Sequence, residues 1–97
     1  MVMMRMFWAG LTQQQYDAVR SKVDWVGRPP AGGMFHIASL EKDGLHVTDV
    51  WKTAEDFQGF VEKRLMPAVQ QLRIPGEPQV VVHPTHAVFD ATRGVEL

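Results

Sequence analysis

The chain has 97 residues, a formal charge of −1 from 10 basic and 11 acidic residues, and no cysteine. This length fits a single domain with a thin core, which favours pairing with a second subunit. The balanced charge argues against a nucleic-acid-binding protein, and the lack of cysteine excludes disulfides and thiolate metal sites. No apolar stretch approaches the length of a membrane span or a secretory signal, so we expect a cytoplasmic protein with no membrane contact.

The first half of the chain predicts a strand, a helix and a hairpin. Residues 2–8 are dense in apolar and aromatic side chains, which favours a buried strand. Thr12 and Gln15 have the spacing of a capping box, and the helix that they begin keeps an apolar stripe until Gly27 stops it. Residues 34–51 then predict two strands joined by a tight turn containing the Asp-Gly pair.

The second half predicts one more helix and one more strand. Thr53 is the expected N-cap of the helix, whose apolar stripe continues past Pro67. Because proline has no N–H, we expect a kink or break near residues 63–66. Residues 79–89 predict a last strand, bent at Pro84.

The predicted element order is strand, helix, strand, strand, helix, strand over residues 1–97, as one domain. With right-handed crossovers this order gives an α+β, ferredoxin-like βαββαβ fold, with two helices against a four-stranded antiparallel sheet.

The hairpin places a histidine beside an acid. A turn of two or four residues puts His36 directly opposite or diagonal to Asp49 on one sheet face, with Trp51 next to them. This arrangement is typical of a general base oriented by a carboxylate beside a flat aromatic wall. The alternative is a partly buried histidine that the acid satisfies for stability alone. The pattern does not show whether His36 faces the helices.

Three further side chains are candidates for binding. Arg5 interrupts an apolar strand and can bind an anionic substrate oxygen or form a structural salt bridge; Trp8 can line a cavity mouth or pack in the core. His86 can stabilise developing negative charge. Because a spacing of three puts His83 and His86 on opposite faces of a regular strand, we expect no metal site there.

Several segments resemble the dimeric α+β barrel superfamily, which includes antibiotic-biosynthesis-monooxygenase-like and stress-responsive barrel proteins, and in particular its small actinobacterial members. The resemblance is carried by FHIA (residues 35–38), DGLHVTDVW (43–51), EDFQGFVEKRLMP (55–67) and HPTHAVF (83–89). It implies a homodimer, formed by two four-stranded sheets paired across a two-fold axis. It also implies a cavity for a small molecule between each sheet and its helices.

The activity implied by the resemblance is open, because members of this superfamily differ widely in chemistry. The monooxygenase members use a set of asparagine, tryptophan and arginine, and this chain has no asparagine. Haem-degrading members use a histidine on a helix, and none of the four histidines lies on a predicted helix. The remaining expectations are cofactor-independent oxygenation of a planar aromatic or polyketide-type compound, proton-transfer isomerisation or cyclisation, and a non-catalytic ligand-binding or stress-response role.

If the protein is an enzyme, we expect His36, oriented by Asp49, to accept a proton. Trp51 and Trp8 would hold the planar ligand, and Arg5 or His86 would stabilise the charge that develops.

Overall fold

In the computed structural model, which describes residues 1–97, four strands form one antiparallel sheet and the helices cover one of its faces. The sheet order is β2-β3-β1-β4. Its strands are β1 (Val2–Ala9), β2 (Gly33–Glu41), β3 (Gly44–Trp51) and β4 (Gln79–Pro84). The helical elements are α1 (Gln13–Val23), α2 (Ala54–Phe60), a π-helical segment (Val61–Leu65) and α3 (Met66–Gln71). This architecture confirms the predicted ferredoxin-like α+β fold.

Helix α1 begins as the sequence predicts and ends earlier. Thr12 Oγ1 accepts a hydrogen bond from the Gln15 N–H at 3.2 Å, and Gln15 Oε1 accepts one from the Thr12 N–H at 2.9 Å, which completes the capping box. The predicted stop at Gly27 is wrong, because Asp24 adopts a left-handed conformation (φ 55°) that ends the helix after Val23. The residues that follow are therefore free to fold back over the sheet.

The second helix is interrupted where Pro67 requires it. Proline offers no N–H to the turn before it, and its ring crowds the carbonyl four residues earlier. The chain relieves this with the π-helical segment, in which the Met66 N–H donates to the Val61 carbonyl, five residues back. The kink or break predicted near residues 63–66 takes the form of this π-helical segment, and the helix continues through it into α3. None of the helices combines the length and the apolar character needed to cross a membrane.

The predicted continuation of the last strand beyond Pro84 is wrong. The pairing of β4 with β1 ends with Pro84 opposite Val2, followed by one hydrogen bond from the Thr85 N–H to the Met1 carbonyl at 3.0 Å. Two short strands, β5 (Phe89–Asp90) and β6 (Val95–Glu96), instead form a small hairpin. The Asp90 carboxylate accepts hydrogen bonds from Thr92 and Arg93 in the turn, and these bonds lower the pKa of Asp90 to about 2.

The two faces of the sheet differ in what covers them. On the helix-facing side the core is built from Met4, Met6, Trp8, Leu45, Val47, Trp51, Phe57 and Val69. On the other side, called here the open face, the central row runs Ile37, Thr48, Arg5, Val81 across the four strands. Ile37 is 64% exposed and Val81 46% exposed. The open face therefore presents apolar side chains to solvent in a single subunit.

Candidate active site

A cavity of about 480 Å³ lies between the sheet and the helices. Its lining is almost wholly apolar and includes side chains from β1, β3, α1 and α2. The charged or titratable groups in this lining are Arg20, His36 and Asp49, together with the Tyr16 hydroxyl. A volume of this size, apolar walls and a few convergent polar groups are typical of a site for a small organic molecule.

Four side chains form a continuous hydrogen-bonded chain at the sheet side of this cavity. His36 and Asp49 are direct cross-strand partners, as the hairpin register predicts, and His36 Nδ1 lies 2.7 Å from Asp49 Oδ1. Trp51 Nε1 donates to Asp49 Oδ2 at 3.1 Å. At the other end His36 Nε2 lies 2.7 Å from the Tyr16 hydroxyl. This chain of Trp51, Asp49, His36 and Tyr16 is called the relay below.

With Asp49 ionised and His36 neutral, hydrogen-bond chemistry sets the direction of the relay. The Asp49 carboxylate only accepts, so His36 Nδ1 donates to it and the indole N–H donates to its other oxygen. Neutral His36 then has Nε2 as an acceptor, and this atom accepts the Tyr16 O–H. Every donor points toward Asp49, and the lone pairs of the Tyr16 oxygen are left free at the cavity end.

Burial makes the relay stronger than a surface network. The Asp49 side chain is 5% exposed and the His36 side chain 27% exposed, so both interact in a medium of low dielectric constant. Burial is also the main cause that raises the pKa of Tyr16; Arg20 lowers it and Asp49 raises it further. At neutral pH the Tyr16 phenol therefore keeps its proton and can pass it to His36.

The aromatic wall of the cavity is Trp25, and Trp51 lies beneath it. Trp51 is 0% exposed and does not line the cavity, because its indole is turned to Asp49 and packed against Phe57. Trp25 folds back from the end of α1 onto His36, with ring centroids 5.2 Å apart, and meets Trp51 edge-on at 5.5 Å. A planar ligand in the cavity would contact Trp25.

The other predicted binding residues lie in three different places. Trp8 lines the cavity, and its Nε1 donates to the Pro75 carbonyl at 2.9 Å. Arg5 is exposed on the open face, and no carboxylate of the chain lies within 4.0 Å of it. His86 is exposed in the segment after β4. The cavity thus brings together His36, Asp49 and Trp8, and Arg5 and His86 lie outside it.

Outside the cavity, three side chains that could bind a metal lie close together at the β2–β3 turn. His83 and His86 are exposed and belong to no group of three such residues. Glu41, Asp43 and His46 bring ligand atoms within 4.8 Å of one another at the β2–β3 turn. His46 Nε2 already bonds Asp43 at 2.8 Å, and such exposed acidic groups commonly hold no ion.

Tyr16, Trp25 and Arg20 were not predicted as site residues. Tyr16 and Trp25 fall in or next to the apolar repeat of α1, where aromatic side chains are normally core. The available signal was the phenol itself, because a tyrosine on a buried stripe needs a partner for its hydroxyl. Trp25 was missed because the predicted helix extended too far and included it. Arg20 was missed because a basic residue in the last turn of a helix is common and indicates no site.

Similarity to solved structures supports the fold. A candidate antibiotic biosynthesis monooxygenase from Deinococcus radiodurans matches with a TM-score of 0.64 at 11% identity, over 93% of this chain and 97% of that one. SnoaB, a cofactor-independent oxygenase from Streptomyces nogalater, matches with a TM-score of 0.61 at 15% identity, over 88% and 91% of the two chains. An asparagine-to-alanine variant of SnoaB matches at 0.59 and 18%, over the same shares.

No protein-family model matches the sequence, and no curated protein matches it. The structural matches extend over nearly the whole length of each chain, with probability 1.00. Identities this low establish a shared fold and carry no reaction with them. At the level of the fold, the predicted resemblance to antibiotic-biosynthesis-monooxygenase-like proteins is confirmed.

Proposed function

We propose that this protein is a homodimer that binds a planar, largely apolar aromatic or polyketide-type compound in the cavity and catalyses its oxygenation without a cofactor. The observation that carries the proposal is the relay, which ends at the Tyr16 oxygen inside a cavity whose lining is almost wholly apolar. The fold neighbours add support, since one of them is a cofactor-independent oxygenase.

The relay suits proton removal from a weakly acidic C–H or O–H group. The Tyr16 oxygen takes the substrate proton while its own proton passes to His36 Nε2, so that no free tyrosinate forms. The imidazolium that results is stabilised by the Asp49 carboxylate at 2.7 Å. Trp25 stacks on the delocalised carbanion and keeps water from it.

The deprotonated substrate reduces molecular oxygen directly. For a ring CH₂ group, one oxygen atom becomes the new carbonyl and the other leaves as water, which takes both hydrogens of the CH₂ group. The four electrons that reduce O₂ come from the two C–H bonds that break, so the balance CH₂ + O₂ → C=O + H₂O requires no other reductant. The protein's part is to create and shield the carbanion.

Oxygen uptake with anthrone as a tricyclic probe tests this proposal. We expect the protein to accelerate uptake and to form anthraquinone, and we expect His36→Ala to lower the rate by about a hundredfold. His46→Ala is the matched control, because His46 also pairs with an aspartate but lies on the open face. Equal rates for the wild type and His36→Ala would refute the catalytic role of the relay.

One observation favours a second candidate, a non-catalytic binding protein. His36 Nε2 is already bonded to Tyr16, so the relay is satisfied without any ligand. A binding protein would retain a copurified organic molecule in a native mass spectrum while showing no turnover. A proton-transfer isomerase or cyclase would change the probe compound without consuming oxygen, so product analysis separates all three functions.

The open face supports the homodimer. Its exposed apolar side chains would be buried if two sheets packed face to face, which a small domain with a thin core needs. We expect a native mass of twice 11.0 kDa and a shift to the monomer in Ile37→Asp. Phe89→Asp is the control, because Phe89 is 70% exposed on the C-terminal hairpin and away from the sheet. A monomeric wild type would refute the dimer.

A further inference from the structure

A second depression, of about 360 Å³, lies on the other side of Val23 from the cavity. It is lined by the end of α1, the loop after it, the π-helical segment and α3. This basic pocket contains four cationic side chains and no acidic one, and its lining consists of Lys22, Val23, Arg28, Lys63, Arg64, Pro67, Ala68 and Gln71. Such a concentration is unusual in a chain whose formal charge is −1.

None of the four cations has a carboxylate partner. The ion pairs of the chain are His36–Asp49, His46 with Asp43 and Glu41, and Arg93–Asp90. Cations gathered without counter-charges repel one another, and the folded state tolerates this only where solvent or a ligand compensates. The arrangement leaves four cationic side chains available to an anion that enters the pocket.

A purely structural role explains only part of the cluster. Lys22 lies in the last turn of α1, where a positive charge offsets the helix dipole. Arg64 Nη2 donates to the Val23 carbonyl at 2.5 Å and so caps the same helix end. Arg28 and Lys63 have neither role, and both are exposed.

Arg64 is the side chain of the pocket whose position is best defined by contacts within the chain. Its guanidinium lies over the Phe60 ring, 5.4 Å from the centroid, and is held there by the bond to Val23. Its Nε is buried and has no hydrogen-bond partner. Arg64 is therefore held in one position, whereas an anion in the pocket would meet exposed side chains such as Arg28 and Lys63.

We propose that the basic pocket binds the phosphate group of a phosphorylated small molecule. Arginine and lysine together offer the forked and point-like donors that phosphate oxygens accept. The volume lies in the range of small-molecule sites, and a π-helical turn, often found at functional sites, brings Lys63 and Arg64 to its rim. The site is separate from the relay, so the proposal stands whether or not the protein is an oxygenase.

Titration with inorganic pyrophosphate at low ionic strength, followed by amide NMR, tests the proposal on the intact protein. We expect saturable shifts confined to the pocket, including the amides of Val23, Arg28 and Ala68. Arg28→Ala and Lys63→Ala should each raise Kd about tenfold, because each removes one charge-assisted bond. Lys42→Ala is the control, since it removes the same charge from the distant β2–β3 turn and should change Kd less than about twofold.

Both substituted side chains are exposed and make no hydrogen bond within the chain, so the variants should unfold at the wild-type temperature. Pyrophosphate should raise that temperature for the wild type and for Lys42→Ala. Shifts that spread over all surface lysines without saturation would overturn the proposal. So would equal affinities of the wild type and an Arg28→Ala/Lys63→Ala double variant.

Discussion

Two histidine–aspartate pairs lie on opposite faces of the β2–β3 hairpin, and the nitrogen–oxygen distances within them are nearly equal. His36 and Asp49 are 2.7 Å apart, and His46 and Asp43 are 2.8 Å apart. Their surroundings differ strongly: the side chains are 27% and 5% exposed in the first pair, and 38% and 61% in the second.

The partners beyond each pair explain why only one is a candidate site. Asp49 has a second donor in Trp51, and His36 has the Tyr16 hydroxyl, so the first pair is the middle of a relay that opens on a cavity. His46 rests against Phe7, with ring centroids 4.8 Å apart, and otherwise meets solvent. A histidine and an aspartate at nearly the same distance thus form a potential proton acceptor in the first pair and a surface contact in the second. The difference lies in their burial and in the further hydrogen bonds that each pair makes.

The largest expected difference between the pairs is in stability. Asp49→Ala leaves the His36 Nδ1 and Trp51 Nε1 donors without an acceptor in a buried site, so we expect the free energy of unfolding to fall by about 3 kcal/mol. Asp43→Ala removes an exposed partner and should leave the unfolding midpoint almost unchanged. Urea unfolding of both variants measures the contrast.

Comparable losses for the two aspartates would contradict the role given to burial. Asp49→Asn keeps the size of the side chain and is the check against a cavity effect. It should lose less than Asp49→Ala, because the amide oxygen still accepts one of the two bonds.

A smaller change in stability tests whether Tyr16 and His36 interact energetically or are only close together. Tyr16→Phe removes the hydroxyl bonded to His36 and should cost about 1 kcal/mol, since the site is half-buried. In a double-mutant cycle, Tyr16→Phe and His36→Ala should couple by a similar amount. The matched cycle of Tyr16→Phe with His46→Ala should be additive. A coupling near zero in the first cycle would mean that the phenol and the imidazole do not act as one unit.

Sequence reasoning could reach the His36–Asp49 pair because a hairpin register depends on short-range turn chemistry. The turn is two residues long, Glu41 pairs with Gly44, and the parity that follows puts His36 opposite Asp49. The Thr12 capping box and the Pro67 break are equally local, and both were predicted. Local rules therefore predicted the helix starts, the β2–β3 hairpin and the central pair, but neither the end of α1 nor the C-terminal hairpin.

The rest of the site depends on how distant elements pack, which no local rule contains. Tyr16 reaches His36 only because α1 crosses the sheet at that point. Trp25 becomes the cavity wall only because Asp24 ends α1 early and lets the chain fold back. The basic pocket joins residues more than 40 positions apart, as in the bond from Arg64 to Val23. These contacts between residues distant in the sequence are set by the tertiary structure, so local sequence patterns do not predict them.

The smallest expected effect concerns the pH response of the surface pair. The hydrogen bond to Asp43 is the main cause that raises the pKa of His46 above 6.5, and Glu41, at 4.0 Å, adds to it. Because the folded-state pKa is the higher one, the pair's small stabilisation is complete below pH 6.5 and is lost as pH rises through the folded pKa. NMR titration of the His46 ring should show Asp43→Asn lowering this pKa more than Glu41→Gln does, and the reverse order would show that the 2.8 Å bond is not the cause.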